Sequence, residues 1–291
     1  MSSFLLGLQT LLALLAFAGN SVLCRLALND QLIDANSFTI IRLFSGAVML
    51  LALIFIVNKT HSNIEKPTKP RLKQAAYLFI YAALFSIAYL MLGTAAGALV
   101  LFVSVQLTML VVQYIQGRKS TKLELCGLLL ALGSFAVWMI PSAQRPEPLG
   151  ILLMAIAGIA WGFYTIAGKT SLNPQHDTAQ NFFYSLFFCV LLLPLFWLQE
   201  SALLSKQGVI LAIASGAVTS GLGYWLWYRV LPAFTSLSAG VLQLSVPVLA
   251  AIGGMIWNQE AITLTFLLAS CGILVGIFLV LYSGYQQSMK Y

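Results

Sequence analysis

SLSAGVLQLSVPVLAA, residues 236–251, is a run of small and apolar residues with the length and composition of a buried helix, yet it carries an amide at Gln243 and, four residues on, a helix breaker at Pro247. The rest of the chain decides what kind of core such a run belongs to. Of 291 residues, 60% are hydrophobic and 8% charged, with a mean hydropathy of +0.93. Soluble domains carry about 45–50% apolar and about 25% charged residues, so this composition is that of a membrane protein.

The charges fall in gaps between long apolar runs, and a hydrocarbon core takes roughly 20 residues of helix to cross. Ten spans are expected, near 4–24, 37–57, 75–92, 95–116, 123–140, 149–168, 180–198, 208–230, 235–257 and 263–283. The weakest separations are Gly93-Thr94 and Pro232-Ala233; merging both pairs would leave eight very long helices. The first run lacks a preceding basic residue and continues to about Cys24, which favours a retained span over a cleaved signal. Cys24, Cys126, Cys189 and Cys271 form no CxxC pair and read as small buried hydrophobes, with no disulfide framework, metal site or cofactor indicated.

Lys and Arg set the orientation. The N-terminal side carries Lys59, Lys66, Lys69, Arg71, Lys73, Arg118, Lys119, Lys122, Lys169, Arg229 and Lys290, the opposite side only Arg25, Arg145 and Lys206. Both termini are therefore expected in the cytoplasm, with the chain multi-pass in the inner (plasma) membrane. Topology accounts for the net charge of +7, and the loops are too short for a basic nucleic-acid-binding domain. The partners expected are the lipid bilayer and a small molecule, with the chain a monomer or a homodimer.

The two halves repeat. At an offset of 141, Ser104-Val105-Gln106 sets against Ser245-Val246-Pro247, Ala95 against Ser236, Ala98 against Ala239, and Gly117-Arg118-Lys119 against Asn258-Gln259-Glu260. AGNSVLCR (18–25) resembles WGFYTIAGK (161–169), and RLFSGAVMLLAL (42–53) resembles SLFFCVLLLPLF (185–196). With five spans in each half, 1–145 and 146–291, the second enters the membrane inverted. The expected fold class is an all-α membrane protein of ten transmembrane helices in a five-plus-five inverted repeat, with a site at the pseudo-two-fold axis.

GYWLWYRVLPAFTSLSAGVLQLSVPVLAAIGGMIWNQE, 223–260, resembles the signature region of the EamA family in the drug/metabolite transporter superfamily: an aromatic run with Tyr-Arg, small residues, Pro247 at mid-span and Glu260 in the next turn. IIRLFSGAVML around Arg42 is similar to the family's second span, and WGFYTIAGK to the start of its repeats. The resemblance implies a ten-helix carrier of small organic metabolites, often outward, working by alternating access. The chain departs from the family at Gln106, where Pro247 stands in the second half, and at Arg118-Lys119, where Gly-Glu is frequent.

Pro247 has no N–H and leaves the Gln243 carbonyl without its helical donor, so that face should meet protein or a water-filled cavity. Gln243 and Ser245, with the repeat mates Ser104, Gln106 and Thr108, are the candidate midplane site. A Pro kink whose polar neighbours bond to adjacent helices is the plainer alternative. Tyr81, Tyr89, Trp161, Tyr164 and Tyr224 are candidate cavity walls, with Asn20 beside them by repeat logic. Trp227 and Tyr228 read as interfacial belt residues. Arg42, inside the second span, has three readings: holding a substrate carboxylate, snorkelling or pairing with Asp30 or Asp34, and, as the family's frequent Arg here implies, a structural or gating role, with Pro247 the other hinge candidate.

None of the eight acids lies deep in a span and both histidines are in loops, so no proton relay is legible. Either the carrier is a facilitator or its ion is held by carbonyls and hydroxyls. The same absence disfavours an intramembrane hydrolase, and a channel lacks its charged rings. An amino acid or similar zwitterion suits amides, hydroxyls and aromatics; a multidrug or cation exporter, and a non-transporting scaffold or channel, are the alternatives.

Overall fold

The computed structural model describes residues 2–60, 72–140, 147–194, 203–258 and 263–288. It is almost entirely helical: α1 (Ser3–Asn29), α2 (Ala35–Thr60), α3 (Leu72–Ile115), α4 (Lys122–Met139), α5 (Pro148–Lys169), and α6 (Pro174–Phe188) continued by a 3-10 turn, Cys189–Leu192. There follow α7 (Lys206–Ala214), a π-helical segment (Ser215–Leu222), α8 (Gly223–Val230), a 3-10 turn (Leu231–Ala233), α9 (Ser236–Gln243), α10 (Ser245–Asn258) and α11 (Leu264–Ser288). Among the described residues the one β feature is an isolated bridge between Ile33 and Leu204. Eight helical stretches are long and apolar enough to cross a membrane, and the α9–α10 region, Ser236–Ile252, is a shorter apolar one. The chain is thus an all-α, multi-pass membrane protein.

The termini of these helices follow local chemistry. Thr121 and Glu124 form a reciprocal capping box at α4, and Asn173, Ser205 and Thr235 accept from His176 N, Gly208 N and Ser238 N at the starts of α6, α7 and α9. Asp34 does the same for α2, its Oδ1 accepting from Asn36 N and Ser37 N.

Both weak separations can now be followed. The break at Pro232 is real: the chain leaves α8 through Leu231–Ala233, Phe234 is extended and Thr235 caps α9. At Gly93-Thr94 no loop intervenes, and helical turns run on from Leu72 to Ile115. The two arms of α3 nevertheless lie side by side on α5. Tyr81 packs on Trp161 while Thr108 faces the neighbouring Gly162, and Leu92 meets Gly150 while Gly97 meets Met154. In a straight helix rising 1.5 Å per residue, Tyr81 and Thr108 would stand about 40 Å apart. α3 therefore folds back between residues 92 and 97, and each arm is long enough to span.

The partition of side chains is that of a bundle in lipid. Large apolar residues such as Leu129, Leu268 and Phe278 face outward, whereas Asn20, Arg42, Gln106, Ser215, Ser220 and Gln243 are buried. Hydrocarbon offers polar groups no partners, so they gather where helices can supply them. Two expectations need correction. Cys126 and Cys271 are exposed on the outer surface; only Cys24 and Cys189 are buried. Trp227 and Tyr228 are not belt residues but fully buried: Trp227 packs on Phe17, and the Tyr228 ring fills a slot that Gly168 opens by having no Cβ.

Candidate functional site

The opening run breaks where its sequence demands. α9 ends at Gln243, the Leu244 N–H turns back to the Val241 carbonyl, and α10 begins at Ser245 with Pro247 in its first turn. Ser245 spends its hydroxyl locally, donating to the Leu242 carbonyl at 2.7 Å. Gln243 reaches across the bundle instead. Its Oε1 accepts from Trp161 Nε1 at 2.6 Å, and its Nε2 donates to the Ala239 carbonyl at 3.3 Å.

Trp161 is the hub of an aromatic cluster. Its ring centroid lies 4.8 Å from Tyr81, 5.2 Å from Tyr224, 5.8 Å from Tyr164 and 5.9 Å from Phe17, and Tyr224 packs in turn on Phe182 at 5.2 Å. Six elements, α1, α3, α5, α6, α8 and α9, thus meet around one indole. Tyr89 lies further along α3, connected through Phe85 in the i, i+4 ladder Tyr81, Phe85, Tyr89.

The candidates in the first half divide. Gln106 is fully buried (0% exposed) and packs against Gly240 on α9, one turn from Gln243, and neither its Oε1 nor its Nε2 has a hydrogen-bond partner among the described residues. Ser104 and Thr108 face α5, where Gly158 and Gly162 admit them, and Thr108 donates to the Ser104 carbonyl at 2.7 Å. Residues two apart on a helix point to nearly opposite sides, so Gln106 joins the α9 face and its two neighbours do not.

Arg42 neither snorkels nor pairs with Asp34. It is 2% exposed; its Nε donates to Ser220 Oγ at 3.0 Å, its Cζ stands 5.7 Å from the centroid of the Tyr81 ring, and Nη1 has no partner among the described residues. Asn20 is also engaged, its Oδ1 accepting from Ser215 Oγ at 2.7 Å. Ser215 and Ser220 both belong to the π-helical segment, which the sequence reading passed over. Its glycines allow a close approach to α2: a Cβ on Gly216 would collide with the Arg42 carbonyl and Ser45, and one on Gly221 would press on Met49. Among the described residues no group of three or more His, Cys, Asp or Glu could hold a metal. The Pro247/Glu260 pairing lies partly outside the described residues, since Glu260 is not among them.

Amides, hydroxyls and one guanidinium are thus enclosed by aromatics in the core of a multi-pass helical membrane protein. The model of the EamA-like transporter family matches residues 148–282. The chain is 44% identical to the uncharacterized protein PA1977 of Pseudomonas aeruginosa over 94% of its own length and 93% of that protein's. It is 22% identical to the uncharacterized transporter YoaV of Bacillus subtilis, over 83% of this chain and 85% of that one. The uncharacterized transporter YwfM of the same organism is 23% identical over 82% and 81%. The chain belongs to the EamA-like transporter family and is a membrane transporter. A crystal structure of a protein with 17% identity superposes with a TM-score of 0.79 over 97% of this chain and 99% of the other, a likeness of fold.

Proposed function

We propose that the protein moves an amino acid or similar zwitterion outward across the inner membrane by alternating access, around a central site made by Gln243, Trp161, Gln106, Tyr81, Tyr164 and Tyr224. The observation that carries the reading is the pair of buried amides on facing helices. Gln243 is held by the Trp161 indole, while Gln106, fully buried, has neither polar atom partnered among the described residues. An orphaned amide in a dry core is unfavourable unless a ligand completes it. Ser104, Thr108, Ser245, Asn20 and Tyr89 then serve the packing and approach of this site. The interruption at Leu244, maintained by Pro247, is the hinge of the second half.

The same reading has ten spans in two inverted halves, 1–145 and 146–291, both termini in the cytoplasm, a monomer or homodimer, and no nucleic acid. A cationic-drug exporter is less well supported: the aromatics suit a cation, but the charge beside them is the guanidinium of Arg42.

The test is counterflow in proteoliposomes loaded with one amino acid at a time. Gln243→Ala and Gln106→Ala should each lower the exchange rate by about tenfold, the scale of a lost polar contact to substrate, while folded protein is recovered at near wild-type yield. Pro247→Ala should change rate more than substrate ranking. Wild-type exchange in both glutamine variants would remove the site.

A further inference from the structure

Arg42 sits two turns inside α2 with a donor to spare. None of the buried acids of the described structure pairs with it: Asp34, at the start of α2, caps the helix through Oδ1 and leaves Oδ2 without a partner among the described residues, Glu124 takes Arg118 at 3.4 Å, and Asp177 accepts from Ser171 Oγ. What faces the guanidinium is the hydroxyl of Ser220 and the ring and hydroxyl of Tyr81, with Tyr224 and Cys24 within electrostatic range. None of these is a carboxylate. A desolvated guanidinium lacking an anion is unfavourable, and a fold that keeps one usually completes it with an anion or a polar network. Here the network stops at Nη1.

The placement of that unpartnered donor is informative. Arg42 lies over Tyr81, Tyr81 packs on Trp161, and Trp161 is bonded to Gln243, so the cation and the amide stand at two ends of one aromatic surface. A guanidinium at one end and amide oxygens at the other match a carboxylate and an ammonium on one small molecule.

We propose that Arg42 is the carboxylate anchor of the transported solute, with Ser220 of the π-helical segment as its positioning residue. The proposal rests on the carrier reading and narrows it: every solute carried bears a carboxylate, and its decarboxylated amine is not carried. Ser220 occupies Nε and thereby presents Nη1 to the solute, while the Tyr81 face supports the guanidinium from the other side. Because no carboxylate among the described residues pairs with Arg42, its positive charge adds little to the stability of the ligand-free carrier, which separates this role from a structural one.

The experiment measures thermal melting and counterflow on the same purified full-length chain. The twenty proteinogenic amino acids are screened for stabilisation, and each hit is compared with its decarboxylated amine. The expected result is stabilisation by amino acids and none by the amines. Arg42→Met should melt at or above the wild-type temperature without ligand, yet lose the stabilisation and exchange at least about tenfold more slowly. Ser220→Ala should weaken the response by a few-fold at unchanged solute ranking. An Arg42→Met protein that melts several degrees lower while still responding to amino acids would overturn the proposal, as would amines that stabilise as well as their parent amino acids, or a wild-type protein that no amino acid stabilises. If Arg42→Met is not recovered folded, Arg42→Lys decides: at least a tenfold weaker response is expected, and a wild-type response overturns the anchor. Failure of the carrier reading looks different. Amino acids would then still stabilise the protein through Arg42, but no solute would show counterflow.

Discussion

Gln243 and Trp161 stand 82 positions apart in the chain and share the shortest side-chain hydrogen bond of the aromatic cluster, 2.6 Å. Each was legible alone, an amide before a helix breaker and an indole in a repeated motif, but their pairing belongs to the packing of α5 on α9 and has no local signature. The same holds for Arg42, whose depth in a span was readable while its partner, Ser220, was not. Tyr228 and Trp227 were misjudged because an aromatic near a span end has the composition of a belt residue; whether it turns inward depends on a slot such as the one at Gly168. The bond itself can be weighed. Trp161→Phe keeps the stacking on Tyr81 and Tyr224 but leaves a buried Oε1 without its donor, at a cost of about 1–3 kcal/mol. A double-mutant cycle with Gln243→Leu should return a coupling of about 1 kcal/mol or more in unfolding measurements, and additive single effects would mean that the two side chains do not interact.

At the scale of elements, helices and their caps were readable from apolar length and from Ser, Thr and Asn at their starts, whereas departures from regular helix were not. α3 is the clearest case. The sequence offers only a weak separation at Gly93-Thr94, with no loop composition to announce a reversal, and the shared contacts with α5 are what set the two arms side by side. The π-helical segment is the other case: it inserts extra residues per turn, rotating Ser215 toward Asn20 and Ser220 toward Arg42, and such segments often accompany functional sites. Its approach to α2 depends on Gly216. Gly216→Ala places a methyl against the Arg42 carbonyl, which is backbone and cannot swing aside, so a loss of at least about 1–3 kcal/mol is expected. Gly133→Ala in α4 meets nothing within 4 Å and should be neutral or gain up to about 1 kcal/mol from helix propensity. Melting of the two purified variants side by side checks this; equal melting temperatures would show that α2 and the π-helical segment are not in close contact.

For the whole molecule, the sorting of polar groups inward and apolar groups outward follows from the solvent being hydrocarbon, and it makes the number of crossings decisive. An inverted repeat requires an odd number of spans before residue 146, because only then does the second half enter from the other side. The count is odd only if α3 crosses twice. One long α3 would give four crossings, two parallel halves, and no symmetry axis through Gln106 and Gln243. The charge asymmetry argues for the odd count, since eleven basic residues collect on one side and three on the other when α3 is split. Truncated fusions decide between them. A phosphatase that is active only outside the cytoplasm should be active when joined after Arg145 and inactive after Ser171 or Tyr291, and a fluorescent reporter that matures only inside should give the complementary pattern. A cytoplasmic Arg145 junction would make the halves parallel and remove the axis, whereas an external one is what inverted halves require, with Gln106 of one half packed against the helix that carries Gln243 of the other.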